Sequence, residues 1–71
     1  MKYVRLYNDV VLLFDNVYFH CDMADKEDVV SAGYVDMKNK RCYGYSSSLG
    51  VYSDPDMDSQ YLFSMKGGER T

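Results

Sequence analysis

The stretch Val10-Val11-Leu12-Leu13-Phe14 decides the fold, because it is the longest apolar run in the chain. A strand formed by these residues would be apolar on both faces. That pattern is typical of a strand inside a sheet, so we predict a central strand here. The run is much shorter than the about 20 residues that a membrane helix needs. The sequence therefore predicts a sheet protein with no membrane segment.

The segments on either side of this run also predict strands. Tyr3 to Tyr7 alternates between apolar and polar side chains, as in a half-buried strand. Asn8-Asp9 and Asp15-Asn16 are turn-forming pairs that flank the apolar run. Val17 to Cys21 predicts a further strand, with its odd-numbered residues facing the core. We therefore expect consecutive antiparallel strands joined by tight turns.

The middle of the chain predicts a short helix followed by a hairpin. Asp22 is a candidate cap for a helix or turn from Met23 to about Val30, because its carboxylate can accept from free backbone N–H groups. Val29 to Met37 and Arg41 to about Ser47 predict two strands, with Lys38-Asn39-Lys40 as the turn between them.

A helix is predicted after Pro55, which suits the first helical position. Met57, Tyr61 and Met65 recur every four residues and form one apolar stripe, and Gly67 ends the helix. We predict a single α+β domain over residues 1–71. It has an antiparallel sheet of four to five strands, the C-terminal helix packed on one face through this stripe, and a short helix or turn near residues 23–30.

Composition restricts the possible functions. The chain has 71 residues, 46% hydrophobic and 27% charged, which is ordinary globular usage. A core this small is often supplemented by association, so we expect a homo-oligomer. The net charge of −3 argues against binding a nucleic-acid polymer, which requires a dense cationic surface, but leaves a small anionic ligand open. The N-terminus lacks the apolar stretch of a secretory signal, so we expect a cytoplasmic protein in which Cys21 and Cys42 are free thiols.

No pattern in the sequence predicts catalysis. His20-Cys21-Asp22 contains reactive residue types, but neighbours on a strand point to opposite faces, and the chain has no second histidine. Asp54 to Asp58 places carboxylates at alternate positions without the glycine and glutamate that a calcium loop requires. We therefore expect no catalytic residues, no metal, no cofactor and no enzymatic activity.

Tyrosine is the unusual component, with eight residues in the chain and no tryptophan. Tyr18, Tyr43 and Tyr45 are predicted on outward faces of the sheet, and His20 shares the face of Tyr18. Tyrosine offers a large contact area with a polar tip, which suits a protein interface. Phe63 points away from the predicted helix stripe and is a second candidate contact.

A small-ligand site is the alternative hypothesis. The stretch Ser46-Ser47-Ser48-Leu49-Gly50 could present amides and the hydroxyls of Ser46 and Ser47 to a phosphate. Arg41 would supply a cation, and Tyr43 and Tyr45 could stack a base. The stretch matches no known nucleotide-binding motif, so both hypotheses remain open.

Three stretches carry a resemblance: His20-Cys21-Asp22-Met23-Ala24, Val29-Val30-Ser31-Ala32-Gly33-Tyr34-Val35, and Gly44-Tyr45-Ser46-Ser47-Ser48-Leu49-Gly50. The chain resembles short uncharacterised proteins encoded by bacteriophages and prophages. The resemblance implies an accessory protein in the host cytoplasm that binds and inhibits a host protein. As the alternative, it implies the sequestering of a host defence signal, which for this chain would be a nucleotide held by a homo-oligomer. It assigns no role to any residue.

Overall fold

The computed structural model describes residues 1–64, which form strands and short helices. Their order along the chain is β1 (Lys2–Leu6), β2 (Val11–Phe14), α1 (His20–Met23), β3 (Val29–Asp36), β4 (Arg41–Tyr43), β5 (Tyr45–Ser46), β6 (Val51–Tyr52) and α2 (Pro55–Ser59). A 3₁₀ turn (Lys26–Asp28) precedes β3, and a π-helical segment (Gln60–Ser64) continues α2. No helix within residues 1–64 has the length and apolar character needed to cross a membrane.

Four of the strands form one antiparallel sheet in the order β2-β1-β3-β4, and β5 pairs with β6 in a separate hairpin. The predicted α+β class with a mainly antiparallel sheet is confirmed. The predicted strand from Arg41 to Ser47 is divided into β4 and β5 by Gly44, whose φ of 92° lies in the left-handed region. Glycine adopts this conformation without the steric cost that a Cβ brings.

The apolar run is an edge strand, so its predicted central position is wrong for the single chain. Val10 and Leu13 are 45% and 39% exposed. The centre of the sheet is β1 and β3, and Tyr3 and Val4 of β1 are fully buried. The polar side chains of Tyr3 and Arg5 predict that one face of β1 is exposed to solvent. Instead, the Tyr3 hydroxyl and the Arg5 guanidinium both donate hydrogen bonds to Asp58 of α2.

The two faces of the sheet carry separate clusters. On the hairpin face, Leu49 and Val51 from the region of β5 and β6 cover a cluster of Val4, Phe14, Val29 and Ala32. On the opposite side, the helix face, the π-helical residues Leu62 and Phe63 cover a cluster of Tyr3, Val35 and Cys42. The sheet is therefore sandwiched between the hairpin and the C-terminal helix.

The predicted strand from Val17 to Cys21 does not form. Val17 and Phe19, expected in the core, are 76% and 62% exposed, whereas His20 is buried at the start of α1. Asp15 accepts from Val17 N at 3.0 Å, and Asp22 accepts from Phe19 N at 3.3 Å. These local carboxylate bonds stabilise a turn and a helix start, which outweighs the strand propensity of the apolar residues. Asp22 thus lies inside α1 rather than capping a helix from Met23.

The C-terminal helix begins at Pro55 as predicted but buries a different face. Asp58 is fully buried, while Met57 of the predicted stripe is 41% exposed. The predicted stripe residue Met65 and the predicted stop at Gly67 lie outside the described residues. The helix is rotated from the expected orientation because Asp58, not an apolar residue, makes the central contact with the sheet.

Candidate interaction surface

A buried carboxylate fastens the C-terminal helix to the sheet. Asp58 accepts hydrogen bonds from the Tyr3 hydroxyl, from Arg5 Nε at 2.7 Å, from Ser31 Oγ at 2.7 Å and from Asp54 N at 2.9 Å. A carboxylate offers about four acceptor positions, so this network uses its capacity. The arrangement is therefore a structural anchor with no position left for a ligand.

Arg5 extends the anchor to the π-helical segment. Its guanidinium also donates to Asp9 Oδ1 at 2.9 Å and lies 5.1 Å from the centroid of the Tyr61 ring, whose hydroxyl donates to Asp9 Oδ2. Burial lowers the pKa of Arg5, but the hydrogen bond and charge of Asp58 more than offset this, so the pKa rises. Burial, followed by the hydrogen bond to Asp58, raises the pKa of Tyr3. Arg5 therefore stays charged and Tyr3 stays protonated at neutral pH.

A row of side chains crosses the hairpin face at one end of the sheet. Phe14 lies opposite Lys2, Lys2 opposite Tyr34, and Tyr34 opposite Tyr43. Residues directly opposite on antiparallel strands share a face. With strands about 4.8 Å apart, the row spans about 15 Å.

His20 packs over this row instead of facing solvent as predicted. Its ring stands edge-on to Phe14 at 5.6 Å and to Tyr34 at 5.8 Å. Its Nε2 lies 2.8 Å from the Gly33 carbonyl oxygen, and the side chain is 4% exposed. Since both the ring and this nitrogen are occupied, His20 positions the aromatic side chains around it and is not itself a surface contact.

Lys2 holds the exposed loop that follows β2. Its Nζ donates to the Tyr18 carbonyl oxygen at 2.7 Å and lies 5.4 Å from the centroid of the Phe19 ring. Tyr18 is 50% exposed, as predicted for a surface residue. One cation therefore connects this loop to the end of the sheet where Tyr34 lies.

Two tyrosine pairs lie at the other end of the row. Tyr43 stacks on Tyr34 at 5.8 Å with an interplanar angle of 27°, and Tyr45 lies 4.5 Å from Tyr52. Gly44 separates the pairs, and a Cβ at that position would approach the Tyr34 ring to 2.9 Å. The exposed members of these groups are here named the aromatic surface: Tyr18, Phe19, Tyr43, Tyr45 and Tyr52.

The serine loop is closed rather than open to a phosphate. Ser46, a predicted ligand, is fully buried; its hydroxyl accepts from Leu49 N and its carbonyl accepts from Gly50 N at 2.7 Å. Ser48 Oγ accepts from Cys21 N. Ser47 is exposed, but the amides of Leu49 and Gly50 are already used within the loop. The predicted contribution of Ser46 to an accessible site is therefore wrong.

Arg41 and Phe63 are the remaining residues that the sequence predicts for a binding site. Arg41 is exposed and lies 3.5 Å from Asp56 in a solvent-exposed ion pair. Phe63 packs against the cluster on the helix face, so its prediction as an outward contact is wrong. The structure thus brings Tyr43 and Tyr45 into one region and places Phe63 on the opposite side of the sheet.

The described residues also include two thiols and a pocket. Residues 1–64 contain no group of three histidine, cysteine or carboxylate side chains arranged to hold a metal. Cys21 is exposed and Cys42 is buried, both as free thiols, and burial raises the pKa of Cys42. A pocket of about 230 Å³ is lined by Met1, Asp15 and Asn16.

Sequence reasoning missed Phe19, Tyr52 and the anchoring role of Lys2. The strand-like pattern of Val17 to Cys21 places Phe19 in the core. The available signal was Asp22, three residues after Phe19 and in position to bond its amide. The sequence carries no comparable signal for the pairing of Tyr52 with Tyr45, because that contact depends on the hairpin.

Comparison of the chain with protein-family models, with curated proteins and with solved structures finds no match. The resemblance to phage-encoded proteins accordingly stays an expectation. The choice of a binding surface therefore rests on the geometry described above.

Proposed function

We propose that this chain is a non-catalytic protein that binds a host protein through the aromatic surface and inhibits it by covering the bound site. The observation that carries the proposal is the pair Tyr45 and Tyr52, which are 40% and 73% exposed with rings 4.5 Å apart. The host cell as the source of the partner, and inhibition as the outcome, come from the resemblance to phage accessory proteins.

The aromatic surface is suited to binding because its rings are held in place before a partner arrives. Tyr43 is stacked on Tyr34, and the loop of Tyr18 and Phe19 is held by Lys2. Ordering a mobile side chain at an interface costs about 0.5–1.5 kcal/mol. Rings already restrained by neighbours avoid part of that cost, so more of the contact energy remains as affinity.

A protein partner is favoured over a small anion by the state of the serine loop. A nucleotide would still find Arg41 and the exposed ring of Tyr43. The amides of Leu49 and Gly50 already donate to Ser46, so they are not free to bind its phosphate. The nucleotide-trapping homo-oligomer therefore remains the second hypothesis.

Affinity purification from lysate of the natural host tests the proposal. The tagged wild-type chain is compared with the double variant Tyr45→Ala/Tyr52→Ala by quantitative mass spectrometry. Truncation of a hot-spot residue costs about 2 kcal/mol or more, and tyrosine is enriched among hot spots, so we expect the captured partner to bind the double variant at least about 30-fold more weakly. Purified partner should lose its own activity when the wild-type chain is added.

Tyr7→Ala is the matched control, because Tyr7 is 70% exposed in the turn between β1 and β2 and lies outside the aromatic surface. It should capture the same partner with unchanged affinity. Equal capture by the wild type and the double variant would reject the aromatic surface. A gain in melting temperature with mononucleotides, abolished by Arg41→Ala, would instead favour the second hypothesis.

A further inference from the structure

The two edges of the four-stranded sheet differ in whether their outward backbone groups are hydrogen-bonded. At the β4 edge, the outward N–H of Cys42 donates to Ser59 Oγ of α2 at 2.9 Å. The C-terminal helix thus covers the polar backbone on that side. An open edge presents unpaired N–H and C=O groups on which another strand can pair, and proteins commonly protect such edges.

At the β2 edge, the register shows which backbone groups point outward. Leu6 N donates to Val10 O at 2.9 Å, which makes these residues a hydrogen-bonded pair. Such pairs alternate along an antiparallel ladder, so Leu12 and Phe14 bond to β1 while Val11 and Leu13 point their backbone groups away from it. Among residues 1–64 these outward groups have no hydrogen-bond partner.

Nothing in the sequence of this strand blocks pairing. Residues 10–14 contain no charged residue and no proline, and the ladder with β1 has no bulge between Lys2 and Arg5. The flanking carboxylates turn away, because Asp9 binds Arg5 and Tyr61 while Asp15 accepts from Val17 N. The edge is thus apolar on both faces and open along its length.

We propose that β2 pairs with β2 of a second copy of this chain, antiparallel, about a two-fold axis through Leu12. In this register Val11 lies opposite the partner's Leu13, and each donates to and accepts from the other. Leu12 lies opposite the partner's Leu12. Val10, which is 45% exposed, lies opposite the partner's Phe14. A strand is complementary to itself when antiparallel, so one edge suffices for a closed dimer.

The size of the contact sets the expected strength. A stable interface buries about 800 Å² on each partner, nearly a fifth of the 4447 Å² that this chain exposes. An edge contact about 17 Å long and about 10 Å thick is smaller than this. We therefore expect a reversible dimer with a Kd in the micromolar range, giving concentration-dependent sedimentation.

Amide hydrogen exchange at low and high protein concentration tests the register directly. The amides of Val11 and Leu13 should exchange more slowly as concentration rises. Those of Leu12 and Phe14, already bonded to β1, should not change. Sedimentation velocity on the same samples should show the dimer fraction rising in parallel. A monomer at every concentration, or protection that does not alternate along β2, would overturn the proposal.

Two substitutions separate edge pairing from other association. Val10→Lys places a charge beside the partner's Phe14 and should weaken the dimer at least tenfold. Val17→Lys is the matched control, because Val17 is 76% exposed outside β2, and it should dimerise like the wild type. Val11→Pro removes one outward N–H while leaving the bonds to β1, a position where edge strands tolerate proline, and should also abolish the dimer. Dimerisation of both edge variants at wild-type strength would refute the β2 interface.

Discussion

Removal of the buried carboxylate, by Asp58→Ala, should strongly destabilise the fold. It would leave Asp9 as the one carboxylate bonded to Arg5 among the described residues, and the buried hydroxyls of Tyr3 and Ser31 would lose their acceptor. Removing one member of a buried ion pair costs about 3–5 kcal/mol. The bond that Arg5 keeps to Asp9 reduces that loss, and the unbonded hydroxyls of Tyr3 and Ser31 increase it. We therefore expect the free energy of unfolding to fall by about 4 kcal/mol.

That loss is large against the stability of so small a domain. At about 0.05–0.15 kcal/mol per residue, a chain of 71 residues has a free energy of unfolding of about 4–11 kcal/mol. A domain of this size loses about 4–8 °C in melting temperature for each kcal/mol. We therefore expect Asp58→Ala to melt at least about 16 °C below the wild type, or to be unfolded at room temperature.

Thermal unfolding followed by circular dichroism measures the effect, with Asp56→Ala as the matched control. Asp56 lies on the same helix, and its side chain is 94% exposed. Both substitutions remove one carboxylate and give α2 the same gain in helix propensity. Asp56→Ala should therefore change the melting temperature by a few degrees at most. Melting of the two variants within a few degrees of each other would refute the reasoning about the anchor.

Stability should also depend on alkaline pH. Burial and Asp58 raise the pKa of Tyr3 above its ordinary 10.0, so the unfolded chain loses this proton at a lower pH than the folded chain does. The stabilisation that Tyr3 contributes is therefore fully present below pH 10.0 and decreases as the pH rises above it. Melting temperatures from pH 8 to 11 should show this fall, and Tyr3→Phe should make it shallower; parallel curves would contradict the assignment. Gly44→Ala should lower the melting temperature more than Gly50→Ala: both residues have positive φ, at 92° and 70°, but only a Cβ at Gly44 would meet the Tyr34 ring. Near-ultraviolet circular dichroism should change only for Gly44→Ala, and identical losses would show that the ring does not constrain this position.

Local patterns predicted the parts of the fold that local forces determine. The turn at Lys38-Asn39-Lys40 forms between β3 and β4, because the Asp36 carboxylate accepts from the backbone of Lys38 and Asn39. The alternation from Tyr3 to Tyr7 marks β1 to within one residue at each end. The α+β class follows from such segments, since each needs only its own residues to form.

The features that the sequence did not predict depend on contacts distant along the chain. The orientation of α2 is set by Asp58 and by donors more than 50 residues away on β1. No pattern around Asp58 shows that it will be buried, because in sequence it resembles a helix-start carboxylate like Asp56. The same contact buries Tyr3, whose place in a half-buried strand did not predict complete burial. Tyr43 is exposed on β4 as its local pattern predicts, whereas Tyr18 is exposed although the strand predicted for it does not form.

The wrong prediction for Val10–Phe14 is consistent with the proposed dimer. A strand that is apolar on both faces is typical of the inside of a sheet, yet β2 lies at an edge in the single chain. Pairing of β2 with its copy would join two four-stranded sheets and place this segment at the centre of the combined one. The exposed Val10 and Leu13 would then be covered without any change in the fold. The interior position predicted from the sequence and the edge position in the structure agree if the sequence is adapted to the dimer rather than to the monomer.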